Sequence, residues 1–186
     1  MASTMDSTQY RESGLELALP NGQHFRFADL PAYQHLSGVN LKEMDFAWID
    51  TDKLILLEVR SYAKTKAALN PDDFIPAKNQ PMPFRFVTLI NKVTDSLMLL
   101  LAAWADTKYG KTLQSELPQF AQAPLPLQII IAIDLPAHLA PHYQALRDSL
   151  NAHLRARLAL VDVNSIVLLD YARLARHFGK FIEIAP

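Results

Sequence analysis

Three charged residues stand out within two neighbouring apolar runs of this sequence: Asp45, Glu58 and Arg60. Magnesium is bound in proteins by oxygen ligands, and one or two carboxylates together with water and substrate phosphate oxygens are sufficient. Asp45 and Glu58 are therefore candidate metal ligands if the fold brings them side by side. A guanidinium beside them suits the binding of phosphate and the stabilisation of developing negative charge.

The chain around these residues has the pattern of a β-hairpin over residues 44–60. Met44–Ile49 and Leu54–Arg60 are apolar runs rich in residues that favour strands. The polar segment Asp50-Thr51-Asp52-Lys53 between them is typical of a turn. We therefore predict two antiparallel strands whose open end carries the charged residues.

The turn sets the register of this hairpin. Pairing Ile49 with Leu54 across the turn places Asp45 directly opposite Glu58. Opposed residues share one face of a sheet, with Cβ atoms about 4.5–5.5 Å apart. Two carboxylates at this distance repel one another, so we expect a divalent metal, a shared proton or a nearby cation to offset the repulsion.

Arg60 provides one such cation. It follows Glu58 by two residues on the same strand, so it lies on the same face and about 6.6 Å further along. The same register places Glu43 opposite Arg60. An alternative to a metal site is therefore a structural cluster in which Arg60 pairs with Glu43 or Glu58. The sequence leaves both arrangements open.

Asp45, a short hairpin and then Glu58-Val59-Arg60 at the end of an apolar strand resemble the motif of the PD-(D/E)xK nuclease-like superfamily. The resemblance covers about residues 41–178, where the hairpin of the family is followed by a helix, a strand, a helix and a strand. It implies an α/β, restriction-endonuclease-like fold, a central mixed β-sheet flanked by helices, here with an extra N-terminal hairpin. It also implies that Asp45 and Glu58 bind Mg²⁺, or Mn²⁺ in its place, for the hydrolysis of phosphodiester bonds in DNA.

Arg60 departs from the family pattern, because the matching position is usually a lysine that orients or activates the attacking water. Arginine stays charged under ordinary conditions and cannot serve as a base. It can still bind a phosphate, so it remains the third candidate catalytic residue. Two further departures are Met44 in place of the proline of the motif, and strand-like sequence where the family usually has a preceding helix with an acidic residue.

Lysines at three positions are candidates both for the missing lysine and for contacts with nucleic acid: Lys64, Lys66 and Lys92. The first two follow the hairpin in a connector that also holds Lys78 and ends near Arg85, and such cations can follow a phosphate backbone. An ordinary solvated loop explains these connector residues equally well. Lys92 belongs to the polar stripe of a predicted helix, and we expect this stripe to face outward.

The rest of the sequence alternates strand and helix patterns between proline-rich connectors. Residues 1–14 are expected to form a disordered lead-in, and residues 15–186 a single nuclease-like domain. The predicted elements are a hairpin over Gly14–Phe27 around Asn21-Gly22, a helix from Pro83 to about Ala105, a strand at Leu127–Ile133, a helix after Pro141, a strand at Ser165–Leu169, a helix at Tyr171–Phe178 and an edge strand at Phe181–Ile184.

Composition narrows the classes of function. The net charge of −1 argues against a uniformly basic nucleic-acid binder but permits a local basic patch. The chain has no cysteine, which excludes disulfides and thiolate zinc sites, and a cytoplasmic location is expected. The longest apolar stretch, Leu97–Ala105, is far shorter than the roughly 20 residues that cross a bilayer, so no membrane partner is expected. Its part Leu97–Trp104 can serve as the surface of a homodimer, or bind a protein partner, if the sheet leaves it uncovered.

Other chemistry-bearing patterns favour structural roles. His138 and His142 have the spacing of helical metal ligands, but Pro141 lies between them. Ser96 beside Asp95 in the long helix is expected to pack and not to act as a nucleophile.

The function predicted from these residues is that of a Mg²⁺-dependent nuclease acting on DNA. The alternative is a catalytically inactive protein of the same fold that binds nucleic acid or a protein partner, with Arg60 locking the site. Metal-dependent cutting that requires Asp45 and Glu58 distinguishes the two.

Overall fold

The computed structural model describes residues 6–38, 41–63, 65 and 68–185 of the chain. Its strands are β1 (Ser7–Glu12), β2 (Leu15–Pro20), β3 (His24–Phe25), β4 (Phe46–Asp50), β5 (Lys53–Ser61), β6 (Leu127–Asp134), β7 (Val167–Leu169) and β8 (Ile182–Ile184). Its helices are α1 (Pro31–Ser37), α2 (Phe84–Trp104), α3 (Lys108–Glu116), α4 (Tyr143–Ala159) and α5 (Tyr171–His177). Short 3-10 turns lie at Phe27–Asp29, Pro71–Asp73, Gln119–Ala121 and Ala137–His142.

A mixed sheet of five described strands lies at the centre of the fold, in the order β3-β4-β5-β6-β7. Strand β4 is antiparallel to β3 and β5, whereas β5, β6 and β7 are parallel. Parallel neighbours require a crossover connection. Helices α2 and α3 lie between β5 and β6, and α4 lies between β6 and β7. The predicted α/β architecture, a central mixed sheet flanked by helices, is confirmed at this level.

Strand β5 is buried on both faces because a layer packs on either side of it. Leu54 and Leu56 join the core formed with α2 and α4. Ile55 and Leu57 face the opposite layer, to which β2, β8 and α5 contribute. This alternation follows from the period of two in a strand, and it places Glu58 on the side of α2.

The second sheet is small and antiparallel, in the order β1-β2-β8. Its β1–β2 hairpin turns at Ser13-Gly14, where both residues have positive φ, 50° and 89°, as tight hairpin turns favour. The expected disordered lead-in is therefore wrong for Ser7–Glu12. This polar segment can act as an edge strand because its neighbour β2 supplies the buried leucines.

The predicted hairpin around Asn21-Gly22 is wrong in its strand pairing. A turn does form there, with Gly22 at φ 73° and a hydrogen bond of 3.1 Å from the Gln23 N–H to the Pro20 carbonyl. The chain then leaves the small sheet, because β3 pairs with β4 and not with β2. Turn residues mark a reversal of the chain, but they carry no information about which sheet receives the next strand.

Helix α2 is the longest helix of the described residues and packs on the central sheet. Its bounds agree with the predicted helix from Pro83 to about Ala105. By length and composition it is the one candidate membrane span among the described residues, but half of its apolar window is buried inside the protein, and core helices pass the same test. Its buried stripe includes two polar residues, Lys92 and Ser96.

Strands β6 and β7 and helices α4 and α5 lie close to their predicted places. Helices α1 and α3 are not evident from the sequence pattern, and α1 lies before β4, where strand-like sequence is expected. The predicted edge strand at Phe181–Ile184 forms β8, which pairs with β2 in the small sheet. The elements around Asp45 and Glu58 are thus β4, β5 and α2.

Candidate functional site

The β4–β5 hairpin has the predicted register. Its ladder ends at the pair of Phe46 and Leu57, and Asp45 is the next residue outward. The Val59 N–H donates a hydrogen bond of 2.8 Å to Asp45 Oδ2, which fixes the carboxylate at the end of the ladder. Asp45 therefore lies across from Glu58, as the turn predicts.

Lys92 of α2 joins the two carboxylates. Its Nζ lies 3.0 Å from Asp45 Oδ1 and 2.8 Å from Glu58 Oε2. The expectation that this stripe faces outward is wrong for Lys92, which is buried. The two carboxylates compensate the ammonium group for its lost hydration, so a lysine is tolerated at this depth. Lys92 is consequently not exposed for contact with a nucleic-acid backbone.

Arg60 completes the ion-pair cluster. Its Nε donates to Glu58 Oε1 at 2.7 Å, and its side chain is 35 % exposed. Glu43, which the register places across from Arg60, accepts a hydrogen bond from the Tyr33 hydroxyl. Of the two pairings that the sequence leaves open, the structure has Arg60 with Glu58.

The next turn of α2 holds the chain just before Asp45. The Lys42 N–H donates to Asp95 Oδ2 at 2.9 Å, and the Met44 N–H donates to Ser96 Oγ at 2.8 Å. Ser96 is fully buried and has the packing role expected of it. These two bonds fix the start of the hairpin relative to α2, which the sequence pattern does not reveal because they join a helix to irregular backbone.

The electrostatic environment of Glu58 is unusual. Burial raises the pKa of Glu58 to about 8, and the neighbouring Asp45 carboxylate adds to this rise. Lys92 and Arg60 act in the opposite direction, because each stabilises the charged form. Glu58 therefore holds a proton more readily than an ordinary glutamate, and any cation that binds here competes with that proton.

The cluster lies below the surface and opens toward Arg60. The exposed fraction of the side chain is 0 % at Glu58, 8 % at Lys92 and 13 % at Asp45, against 35 % at Arg60. A ligand that approaches the carboxylates from solvent therefore meets Arg60 at the exposed side of the cluster.

Asp45 and Glu58 fit a hard divalent cation by donor type, because both offer carboxylate oxygens that converge on a single positive charge. Among the residues that the structure describes, no group of three or more His, Cys, Asp or Glu side chains is placed to hold a metal ion. A magnesium ion would therefore take its remaining ligands from water, backbone or substrate.

The remaining candidates fall into two groups. Lys64 and Lys66 lie outside the residues that the structure describes. In the pair of His138 and His142, the Nε2 of His138 is engaged with the Leu69 carbonyl at 2.9 Å, which agrees with a structural role.

No protein-family model, curated protein or solved structure matches this chain. The residues and the geometry of the ion-pair cluster therefore carry the functional proposal.

Proposed function

We propose that this protein is a Mg²⁺-dependent nuclease of the PD-(D/E)xK type, with a restriction-endonuclease-like fold, that hydrolyses phosphodiester bonds in DNA. The order of elements supports the proposal, because β4 and β5 are followed by α2, β6, α4 and β7, with α3 as an addition after α2. That succession is the one that the resemblance implies. Helix α1 also precedes the hairpin, where the family usually has a helix, but it carries no acidic residue.

One observation carries the proposal: the ammonium group of Lys92 contacts both carboxylates of the motif. Lys92 comes from α2, 34 residues beyond Glu58, and supplies at the site the lysine that the motif lacks at position 60. Burying two acids and a lysine in an apolar layer seldom stabilises a fold relative to apolar residues. The cluster is therefore better explained by a chemical role than by stability.

Each side chain has a role in this proposal. Asp45 and Glu58 would hold the magnesium ion, which would polarise a phosphate oxygen and lower the pKa of a coordinated water. Lys92 donates hydrogen bonds that orient the attacking water. Arg60, at the exposed side, binds the phosphate and stabilises its developing negative charge.

Charge balance couples metal binding to substrate binding. When ionised, the two carboxylates balance the positive charges of Lys92 and Arg60, so the cluster by itself is close to neutral. A divalent cation alone would give it an excess of positive charge, which a substrate phosphate would neutralise. Mg²⁺ is therefore expected to bind more tightly in the presence of nucleic acid than in its absence.

Cleavage assays on plasmid and single-stranded DNA, with Mg²⁺, with Mn²⁺ and with EDTA, test the proposal. Cutting is expected only with a metal, and Asp45→Ala, Glu58→Ala and Lys92→Met should each reduce the rate by about 100-fold or more. Asp50→Asn, exposed at the other end of the hairpin, is the matched carboxylate control and should leave the rate unchanged. Cutting that survives both Asp45→Ala and Glu58→Ala would overturn the proposal.

A catalytically inactive protein of the same fold, which binds nucleic acid or a protein partner, is the second candidate. The Arg60–Glu58 ion pair favours it, because this pair and Lys92 satisfy the carboxylates without a metal. In that case calorimetry should detect no specific Mg²⁺ binding, with or without DNA. Glu58→Ala should then lower the free energy of unfolding and change no activity.

A groove between α2 and the end of α4 supports a contact with a second copy of the chain or another protein. Met98, Leu101 and Leu160 are exposed there, and the groove measures about 470 Å³. Only part of Leu97–Trp104 is available, because Leu97 itself is buried. Light scattering over a range of protein concentrations tests self-association.

The cytoplasmic location stays a prediction.

A further inference from the structure

The ion-pair cluster continues outward along two elements. On β5, Arg60 follows Glu58 on the same face, and Tyr62 comes next beyond the end of the strand. On α2, Arg85 lies two turns before Lys92 on the same side of the helix, since seven residues span about 10.5 Å. These two rows end at Tyr62 and at Arg85.

The Arg85 guanidinium lies over the aromatic ring of Tyr62. The Arg85 guanidinium lies 5.7 Å from the ring centroids of both Tyr62 and Phe74, and these two rings contact each other edge to face at 4.9 Å. Burial raises the pKa of Tyr62, and the charges of Arg60 and Arg85 lower it, so both guanidinium groups lie within electrostatic reach of the phenol. Asp73 approaches Arg85 only to 3.8 Å at the surface, and such a pair contributes little. The aromatic contacts therefore hold Arg85 in place while it remains able to bind another anion.

An exposed aromatic ring stands beside this arginine. Phe84 directly precedes Arg85 on α2 and is 76 % exposed. The Lys42 ammonium group lies 5.4 Å from the centroid of its ring. A ring that remains so exposed adds little to the core, whereas nucleic-acid bases stack on such rings regardless of sequence.

We infer that Lys42, Arg60, Tyr62, Phe84 and Arg85 form a surface that binds an unpaired strand of nucleic acid, with phosphates on the cations and a base on Phe84. The inference rests on the proposed nuclease function and names its substrate class as single-stranded. A single strand fits this surface better than a duplex for two physical reasons. The faces of duplex bases are already stacked on their neighbours, and the carboxylates lie in a recess that a flexible strand reaches with less deformation than a stiff helix.

Fluorescence anisotropy in EDTA measures this binding with the full chain and without cutting. The probes are a labelled oligodeoxythymidine and a blunt DNA duplex of the same length. The single strand should bind more tightly than the duplex. Phe84→Ala should weaken single-strand binding by roughly 5- to 150-fold without changing its salt dependence. Arg85→Ala should reduce the slope of log K against log salt concentration by about 0.7.

Two exposed residues away from this surface provide matched controls. Arg176→Ala, on α5 in the opposite layer, controls for loss of an arginine, and Ile184→Ala, on β8 of the small sheet, controls for loss of an exposed apolar side chain. Both should leave the Kd unchanged. Equal affinity for duplex and single strand, or unchanged binding in Phe84→Ala and Arg85→Ala, would refute the inference.

The absence of metal keeps this test separate from the nuclease proposal. Single-strand binding that depends on Phe84 and Arg85, in a protein that never cuts, would uphold the surface and contradict the nuclease. Metal-dependent cutting by a protein that binds duplex as tightly as single strand would uphold the nuclease and contradict the surface.

Discussion

The two faces of strand β5 differ in what they bury. Toward the small sheet and α5, Leu57 and Val59 pack in an apolar layer. Toward α2, Glu58 is as fully buried but contacts the charged groups of Lys92 and Arg60. Burial of the apolar face stabilises the fold in proportion to its area. A buried ion-pair cluster seldom stabilises a fold in this way, and this difference supports the proposed site on the α2 side of the sheet.

The largest difference between the faces should appear when one side chain is removed from each. Lys92→Met leaves two carboxylates without their shared cation and should lower the free energy of unfolding by about 3–5 kcal/mol once Glu58 is ionised. At acid pH this loss of stability should be smaller, because protonated Glu58 is neutral and no longer requires a cation beside it. Leu57→Ala should lower it by about 2–5 kcal/mol at every pH, through a cavity. Urea denaturation at several pH values measures both losses, and an equal dependence on pH for the two variants would break the comparison.

Replacing the whole cluster should not lower the free energy of unfolding, in contrast to the single change Lys92→Met. The triple variant Asp45→Asn, Glu58→Leu and Lys92→Met removes the buried charges together, while the new amide oxygen can still accept the hydrogen bond from the Val59 N–H. It should be as stable as the wild type or up to about 4 kcal/mol more stable, and it should lose all metal-dependent activity. Chemical denaturation measures the stability. A loss of stability as large as in Lys92→Met would show that the cluster serves the fold itself.

The charged face should also make stability depend on pH. The pKa of Glu58 is raised from 4.5 to about 8, so the folded state favours its neutral form. The stability of the folded protein with protonated Glu58 is fully present below about pH 4.5, and it is lost as the pH rises through about 8 and Glu58 ionises. Wild-type protein should therefore lose stability relative to Glu58→Gln across this window. Thermal unfolding in EDTA measures the difference, and parallel curves for the two proteins would contradict the raised pKa.

The smallest effect is expected at the turn of the same hairpin, far from the cluster. Thr51 has φ 59°, a left-handed conformation that a β-branched residue adopts only with strain. Thr51→Asn should relieve this strain and raise the free energy of unfolding by about 0.5–1 kcal/mol. The rate of metal-dependent cutting should not change. A reduced rate would mean that the conformation of the turn affects the ion-pair cluster.

The hairpin could be predicted because its determinants are local. Two apolar runs and a polar turn set the register, and the register alone brings Asp45 opposite Glu58. The contact with Lys92 could not be derived in this way, because it joins residues 34 apart and depends on how α2 packs on the sheet. A polar stripe identifies one side of a helix, but not whether water or carboxylates cover it.

The N-terminal region shows a second limit of local patterns. Asn21-Gly22 correctly marks a reversal, yet β2 and β3 enter different sheets. Strand β1 has no apolar face to reveal it, because its partner β2 supplies the buried side chains. Such pairings depend on neighbours supplied by distant parts of the chain, including β8 at the other end of the small sheet.

The central claim is that Asp45 and Glu58 form a metal site and that Lys92 supplies the lysine of this site. Anomalous diffraction from crystals soaked in Mn²⁺, with and without a short oligonucleotide, tests it most directly. We predict an anomalous peak between the two carboxylates, strongest with the oligonucleotide, and Arg60 turned away from Glu58 toward a phosphate. No peak under either condition, with the Arg60–Glu58 ion pair intact, would contradict the claim and favour the inactive protein.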